Sequence, residues 1–153
     1  MKDGLIKAWQ IHNDKNILLL TGVDEAALAL KLNPKGRTVG EQLAHLHNTR
    51  INWTEFVVKN IYDKNLLLDK LTILTISSLS SAFISSGLKI EEVINISWEN
   101  NGKLASFKTG LIPFVGYLIS HESHHRGNIL LTLKQSGVKL PDKLKWELWE
   151  WGK

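Results

Sequence analysis

A chain of 153 residues that is 43% hydrophobic can bury a core, and we expect one domain spanning residues 1–153. It contains no cysteine, which excludes disulfides and thiolate ligands, and its apolar runs fall far short of the roughly 18 residues of a membrane span. The net charge of +4 comes from dispersed lysines, which argues against nucleic-acid binding. Without a signal-like segment after Met1, we expect a cytoplasmic protein.

The first elements are predicted from apolar positions at helical spacing. A helix covers about residues 5–20, and Asp24 is placed to cap a short helix over residues 25–30. The next helix has the clearest start, because Thr38 and Glu41 form a Thr-x-x-Glu capping box. In such a box each residue satisfies a backbone N–H that the first helical turn leaves unpaired.

That helix runs to about residue 60, and a third, serine-rich helix covers about residues 75–94. Residues 97–110 are polar and contain glycine, which predicts a long loop or a short hairpin. The last long helix covers about residues 113–137, with a proline in its first turn. Four long helices with long connections predict an all-α protein that folds as a four-helix bundle.

The last helix carries the sequence His121-Glu122-Ser123-His124-His125-Arg126-Gly127, the most informative stretch of the chain. His121 and His125 stand four residues apart, so their side chains lie one turn apart on one face, as two ligands of one metal ion require. Both fall at the edge of the apolar face, whereas His124 points away from its centre. Two such ligands plus a third from another helix would leave open coordination positions, which is typical of a catalytic metal.

His45 and His47 are the candidates for the third ligand. They lie on opposite flanks of the apolar face of their helix, so they cannot both reach one ion, and periodicity alone does not choose between them. His45 belongs to a polar column that either lines a wet pocket or forms a solvated face. The column consists of Glu41, His45, Asn48 and Asn52.

Glu122 falls in the middle of the apolar face of the last helix, where a buried carboxylate needs a partner. Arg126, four residues further on, can form an intrahelical ion pair with it. Alternatively, one of the two residues contacts a ligand histidine on the side remote from the metal and so fixes its orientation. Gly127 is costly inside a helix, and we expect it to permit close packing against a neighbouring helix.

The segment from Thr38 to His45 (TVGEQLAH) and the segment from His121 to Ile129 (HESHHRGNI) together resemble the DinB-like (DinB/YfiT) superfamily of metalloenzymes. The resemblance extends through the order of the helices. It implies that His45, His121 and His125 bind one divalent metal ion. It also implies a four-helix bundle, often dimeric. Some relatives transfer low-molecular-weight thiols onto electrophiles or isomerise substrates with a thiol cofactor.

A rival interpretation takes His121-Glu122-Ser123-His124-His125 as the His-Glu-x-x-His motif of zinc peptidases. Glu122 would then be the general base, and Glu147 or Glu150 the third ligand. Two features argue against it. Asn128 stands where the longer metzincin motif has glycine, and no predicted strand could hold a peptide edge-on.

The histidine pattern predicts one divalent transition-metal ion per chain. All-nitrogen ligation suits zinc, nickel, copper or iron, and not calcium or magnesium, and we expect zinc, nickel or iron. With an open site, we expect a metal-dependent enzyme that acts on a small molecule, either a thiol transferase or a hydrolase. The alternative is a non-catalytic stress or binding protein that the metal merely stabilises.

The C-terminal tail adds an expectation about assembly. Three of the six tryptophans lie in it, more apolar area than one helical surface should expose. The tail could fold back over its own helices, but with the family resemblance we expect a homodimer. The tryptophans are Trp146, Trp149 and Trp151.

Overall fold

The computed structural model describes residues 1–152, and this part of the chain is all-α, without a β-strand. The helices are α1 (Lys2–Thr21), α2 (Val39–Val57), α3 (Ile76–Glu99), α4 (Leu111–Gln135) and the short α5 (Asp142–Glu147). Single 3-10 turns cover Ala26–Ala29, Lys59–Ile61 and Lys64–Leu66. The all-α prediction is therefore confirmed, and the connection between α3 and α4 is a loop.

The start of α2 is the capping box that the sequence predicts. The Thr38 hydroxyl accepts a hydrogen bond from the Glu41 backbone N–H at 3.1 Å, and the Glu41 carboxylate accepts one from the Thr38 N–H at 2.7 Å. A second box, which the sequence analysis did not identify, opens α3 through Thr75 and Ser78. These caps fix where the two helices begin.

The long helices pack through two separate apolar clusters. Helices α3 and α4 each contact both α1 and α2. One cluster includes the end of α1, the start of α2 and α5, and the other lies around Trp9, Ile90 and Phe114. Burial of these side chains drives the packing. Along each long helix, a short layer of buried polar residues separates the two clusters.

The C-terminal tail covers its own helices with leucines and leaves tryptophans outside. Leu144 and Leu148 are buried in the apolar cluster that includes the end of α1, and α5 contacts α1. Trp146 and Trp149, by contrast, are 71% and 76% exposed. The tail thus folds back and still presents apolar surface to solvent.

The expectation for Gly127 is wrong. The residue is exposed on α4, and a Cβ added there would meet no atom within 4 Å. Close packing instead occurs at Gly87 on α3, where an added Cβ would lie 2.5 Å from the Asn13 amide nitrogen. None of the helices in residues 1–152 is long and apolar enough to cross a membrane.

Candidate metal centre

Three histidines from two helices come together at the contact between α2 and α4. One ring nitrogen from each of His45, His121 and His125 lies within 4.8 Å of those of the other two. The ring centroids are 4.8 Å apart for His121 and His125, and 5.0 and 5.6 Å apart from His45 to His125 and His121. This cluster could hold one metal ion.

Local sequence positions each of these side chains. His121 and His125 share a face because they are one helical turn apart on α4. On α2, Ala44 and Leu46 are buried on either side of His45, which places His45 at the edge of the packed face. Packing of α2 against α4 then brings His45 to the pair.

The ring nitrogens of the cluster are not taken by protein partners. The Nδ1 atoms of His121 and His125 are buried, and neither has a hydrogen-bond partner within residues 1–152. Buried polar atoms normally find a partner, so such orphaned nitrogens are unusual. A neutral imidazole with a lone pair to donate is what a divalent transition metal requires, and the three residues fit such an ion.

The electrostatics favour the neutral, ligating form of all three imidazoles. Burial lowers the pKa of His45 and of His121 below the ordinary value. Burial, with the neighbouring His121 and His45, lowers the pKa of His125 to about 4. At neutral pH a proton therefore competes only weakly for these ligand atoms.

His47, the other candidate for the third ligand, lies outside the cluster. Its Nδ1 is 2.9 Å from the Ala82 carbonyl oxygen and its Nε2 is 2.7 Å from the Leu66 carbonyl oxygen. Both ring nitrogens therefore face backbone acceptors, and the side chain ties α2 to α3 and to the segment before it. His124, next to the pair on α4, is exposed and lies 3.1 Å from the Asn128 amide nitrogen.

The polar column on α2 borders a cleft of about 780 Å³ beside His45. Glu41, Asn48 and Asn52 all line it. Two of these side chains stabilise local structure. Glu41 completes the capping box, and the Asn48 amide forms two hydrogen bonds with the Leu68 backbone, at 2.7 and 2.9 Å. Asn52 is exposed.

Glu122 points into the polar layer between the two apolar clusters. Arg50 of α2 donates to both of its carboxylate oxygens, at 2.7 and 2.6 Å. His12 and Asn16 of α1 also contact the carboxylate, at 2.9 and 2.7 Å. Burial alone would raise the pKa of Glu122, but the charge and hydrogen bonds of Arg50, with those of His12, outweigh it and hold the pKa at about 2.

The intrahelical pair of Glu122 with Arg126 is not formed, and Arg50 takes that place. Arg126 donates instead to the Asn16 side-chain oxygen at 2.7 Å and to the Ser123 hydroxyl at 3.2 Å. Asn16 thereby connects Arg126 to Glu122 in one network. Arg50 and the α1 residues are the ones that sequence reasoning missed. The sequence feature that could have identified them is a polar side chain on an otherwise apolar helical face.

The surroundings of Glu122 argue against the zinc-peptidase interpretation. A general base needs an accessible carboxylate, and Glu122 is 1% exposed with both oxygens already bonded. Within the described part of the chain, the histidine cluster also includes neither Glu147 nor Glu150.

Acidification is expected to destabilise the metal-free protein. Five histidines have a pKa lowered from 6.5 in the folded state, so below that pH the unfolded chain binds more protons. They are His12, His45, His47, His121 and His125. Stability should therefore fall as the pH drops from about 6.5 toward about 4. Calorimetry in chelator should record a falling Tm over this range, and a flat Tm would contradict the prediction.

Comparison with known proteins gives one match. The model of the DinB family matches residues 1–149. No curated protein and no solved structure matches the chain.

Proposed function

Because the chain belongs to the DinB family, we propose that it is a metal-dependent enzyme that acts on a small molecule. The observation that supports this proposal is the cluster of His45, His121 and His125, which has free ring nitrogens and borders a cleft. A structural metal site is normally closed by four protein ligands. Here the described residues offer three, which leaves space for a substrate atom.

In this proposal α1 to α4 form the four-helix bundle of the family, in one domain spanning residues 1–153. The packing of α3 and α4 on both α1 and α2 supports it. The centre holds one divalent ion of zinc, nickel or iron, because imidazole nitrogen suits these metals.

The reaction that we propose is transfer of a thiol onto an electrophile. A bound divalent ion would supply Lewis-acid chemistry that favours a thiolate over a thiol. The three imidazoles hold the centre and, being neutral, add no negative charge that would repel an anionic ligand. The chain has no cysteine, so the thiol must come from a second small molecule. Hydrolysis is the alternative reaction for the same site, with water in place of the thiol.

A thiol-transfer assay on the metal-loaded protein tests this proposal. Panels of low-molecular-weight thiols and electrophiles are incubated with protein that is metal-free or loaded with zinc, nickel or iron. We expect conjugate formation that requires the metal, is lost in His125→Ala and is retained in His124→Ala. A non-catalytic metal-stabilised protein would instead gain thermal stability from the metal and form no conjugate with any pair.

We also propose that the protein is a cytoplasmic homodimer that binds neither nucleic acid nor membrane. The exposed Trp146 and Trp149 support a dimer, because neighbouring exposed aromatic side chains of this size are characteristic of interaction surfaces. Sedimentation should give a dimer at micromolar concentration. A monomer under these conditions would contradict the proposed homodimer.

A further inference from the structure

The cleft beside His45 is lined by three cations. It lies between the loop before α2 and the segment before α3, and Lys35, Arg37 and Lys70 border it. Arg37 and His45 line this same cleft, so the guanidinium and one of the clustered imidazoles border a common space. A guanidinium beside a ligand-binding centre is suited to holding an oxyanion, whose two oxygens match its fork of N–H donors.

These cations have no carboxylate partner within residues 1–152. The two acids that line the cleft are engaged in their own turns. Glu41 accepts the Thr38 N–H in the capping box, and Asp69 accepts the Leu71 N–H at 2.8 Å and the Thr72 hydroxyl at 3.0 Å. Three cations and two carboxylates leave the lining with a net charge of +1. A bound divalent ion would add to this positive charge, so the cleft favours an anionic ligand.

The neighbouring pocket has the opposite character. It has a volume of about 390 Å³, and its lining includes Trp53 and Phe56 but no ionisable side chain. Asn52 lines both this pocket and the cleft, so the two adjoin. A molecule that bears one charge would lower its energy by placing the charged end in the cleft and the uncharged part over the aromatic side chains.

We infer that the small molecule bound at the histidine cluster carries a carboxylate, which Arg37 anchors in the cleft. The inference rests on the proposed function and names the chemical class of its substrate or thiol cosubstrate. Arg37 is here a specificity-determining residue that contacts the substrate and takes no part in holding the metal.

Matched thiols bound to cobalt-loaded protein test the inference, because a thiolate on cobalt has a characteristic absorption in the near ultraviolet. The probes are mercaptopropionate, mercaptopropanol and aminopropanethiol, which differ in the charge of the end remote from sulfur. We expect mercaptopropionate to bind roughly tenfold more tightly than the neutral thiol, the scale of one hydrogen bond to a charged group. The cationic thiol should bind most weakly.

Arg37→Gln should remove this preference and should not weaken cobalt binding. The matched control is Lys134→Gln, which removes one positive charge at an exposed position that does not line the cleft. The inference is overturned if Arg37→Gln discriminates between the thiols as the wild type does. It is also overturned if Lys134→Gln reduces the preference equally, because the effect would then come from net charge.

A thiol-free measurement separates this inference from the proposed function. Succinate should raise the Tm of the metal-loaded wild type more than succinamide at matched ionic strength, and Arg37→Gln should abolish the difference. If no thiol perturbs the cobalt spectrum but this difference holds, thiol transfer fails and the carboxylate site stands. If the difference is absent in the wild type, the inference fails, whatever the thiols do.

Discussion

Glu122→Ala is expected to lower the free energy of unfolding by about 3–5 kcal/mol, the usual cost of removing one partner of a buried ion pair. Arg50 is fully buried, and without the carboxylate its charge would be compensated only by neutral groups. Chemical denaturation followed by circular dichroism measures the change. The matched control is Glu99→Gln, which breaks the exposed pair with Lys2 and should cost less than about 1 kcal/mol.

Replacing both partners distinguishes a broken pair from a simple loss of volume. The double variant Arg50→Met with Glu122→Leu leaves no unpaired charge, so it should be more stable than either single variant. If the losses of the single variants simply add, the two side chains are not energetically coupled. A Glu122→Ala variant as stable as Glu99→Gln would likewise contradict the role assigned to this pair.

His121→Ala or His125→Ala is expected to weaken metal binding by more than about 100-fold, beyond the 10–100-fold typical of residues that only support a ligand. Each substitution removes one of the three imidazoles that converge at the contact between α2 and α4. Competition with a chromophoric chelator measures the affinity. His124→Ala is the matched control, because this neighbour on α4 is exposed and lies outside the cluster. Its affinity should equal that of the wild type.

The same measurement on α2 tests the choice of the third ligand. His45→Ala should weaken binding as strongly as the α4 variants. His47→Ala should reduce stability, because it removes the buried side chain that contacts the Ala82 and Leu66 carbonyl oxygens, and should retain the metal. The assignment is wrong if His47→Ala abolishes binding and His45→Ala leaves it intact.

Features with short sequence separation could be predicted from the sequence. The capping box of α2 spans Thr38 to Glu41, and the histidine pair spans one helical turn, so both follow from backbone geometry alone. The helix order also followed from periodicity. The segment after Asp24 was predicted as an α-helix, but only the 3-10 turn Ala26–Ala29 forms. The backbone becomes extended at Leu30, which ends the segment after this single turn.

Features that depend on packing between distant segments could not be predicted in this way. The partner of Glu122 is Arg50, 72 residues away, whereas the sequence favoured the local Arg126. Likewise, His45 and His47 are equally far from the centre of the apolar face of α2. Only the packing of α2 against α4 shows which of the two faces the histidine pair on α4. From the sequence, that choice depended on the family resemblance.

The most direct test of the proposed centre is a crystal structure of the zinc-loaded protein, with the ion located by its anomalous scattering. We predict one ion with a nitrogen of His45, His121 and His125 at about 2.0–2.1 Å. The remaining coordination position should hold solvent and face the cleft beside His45. A fourth protein side chain closing the site, or an ion bound through His47 or Glu122, would contradict the proposal.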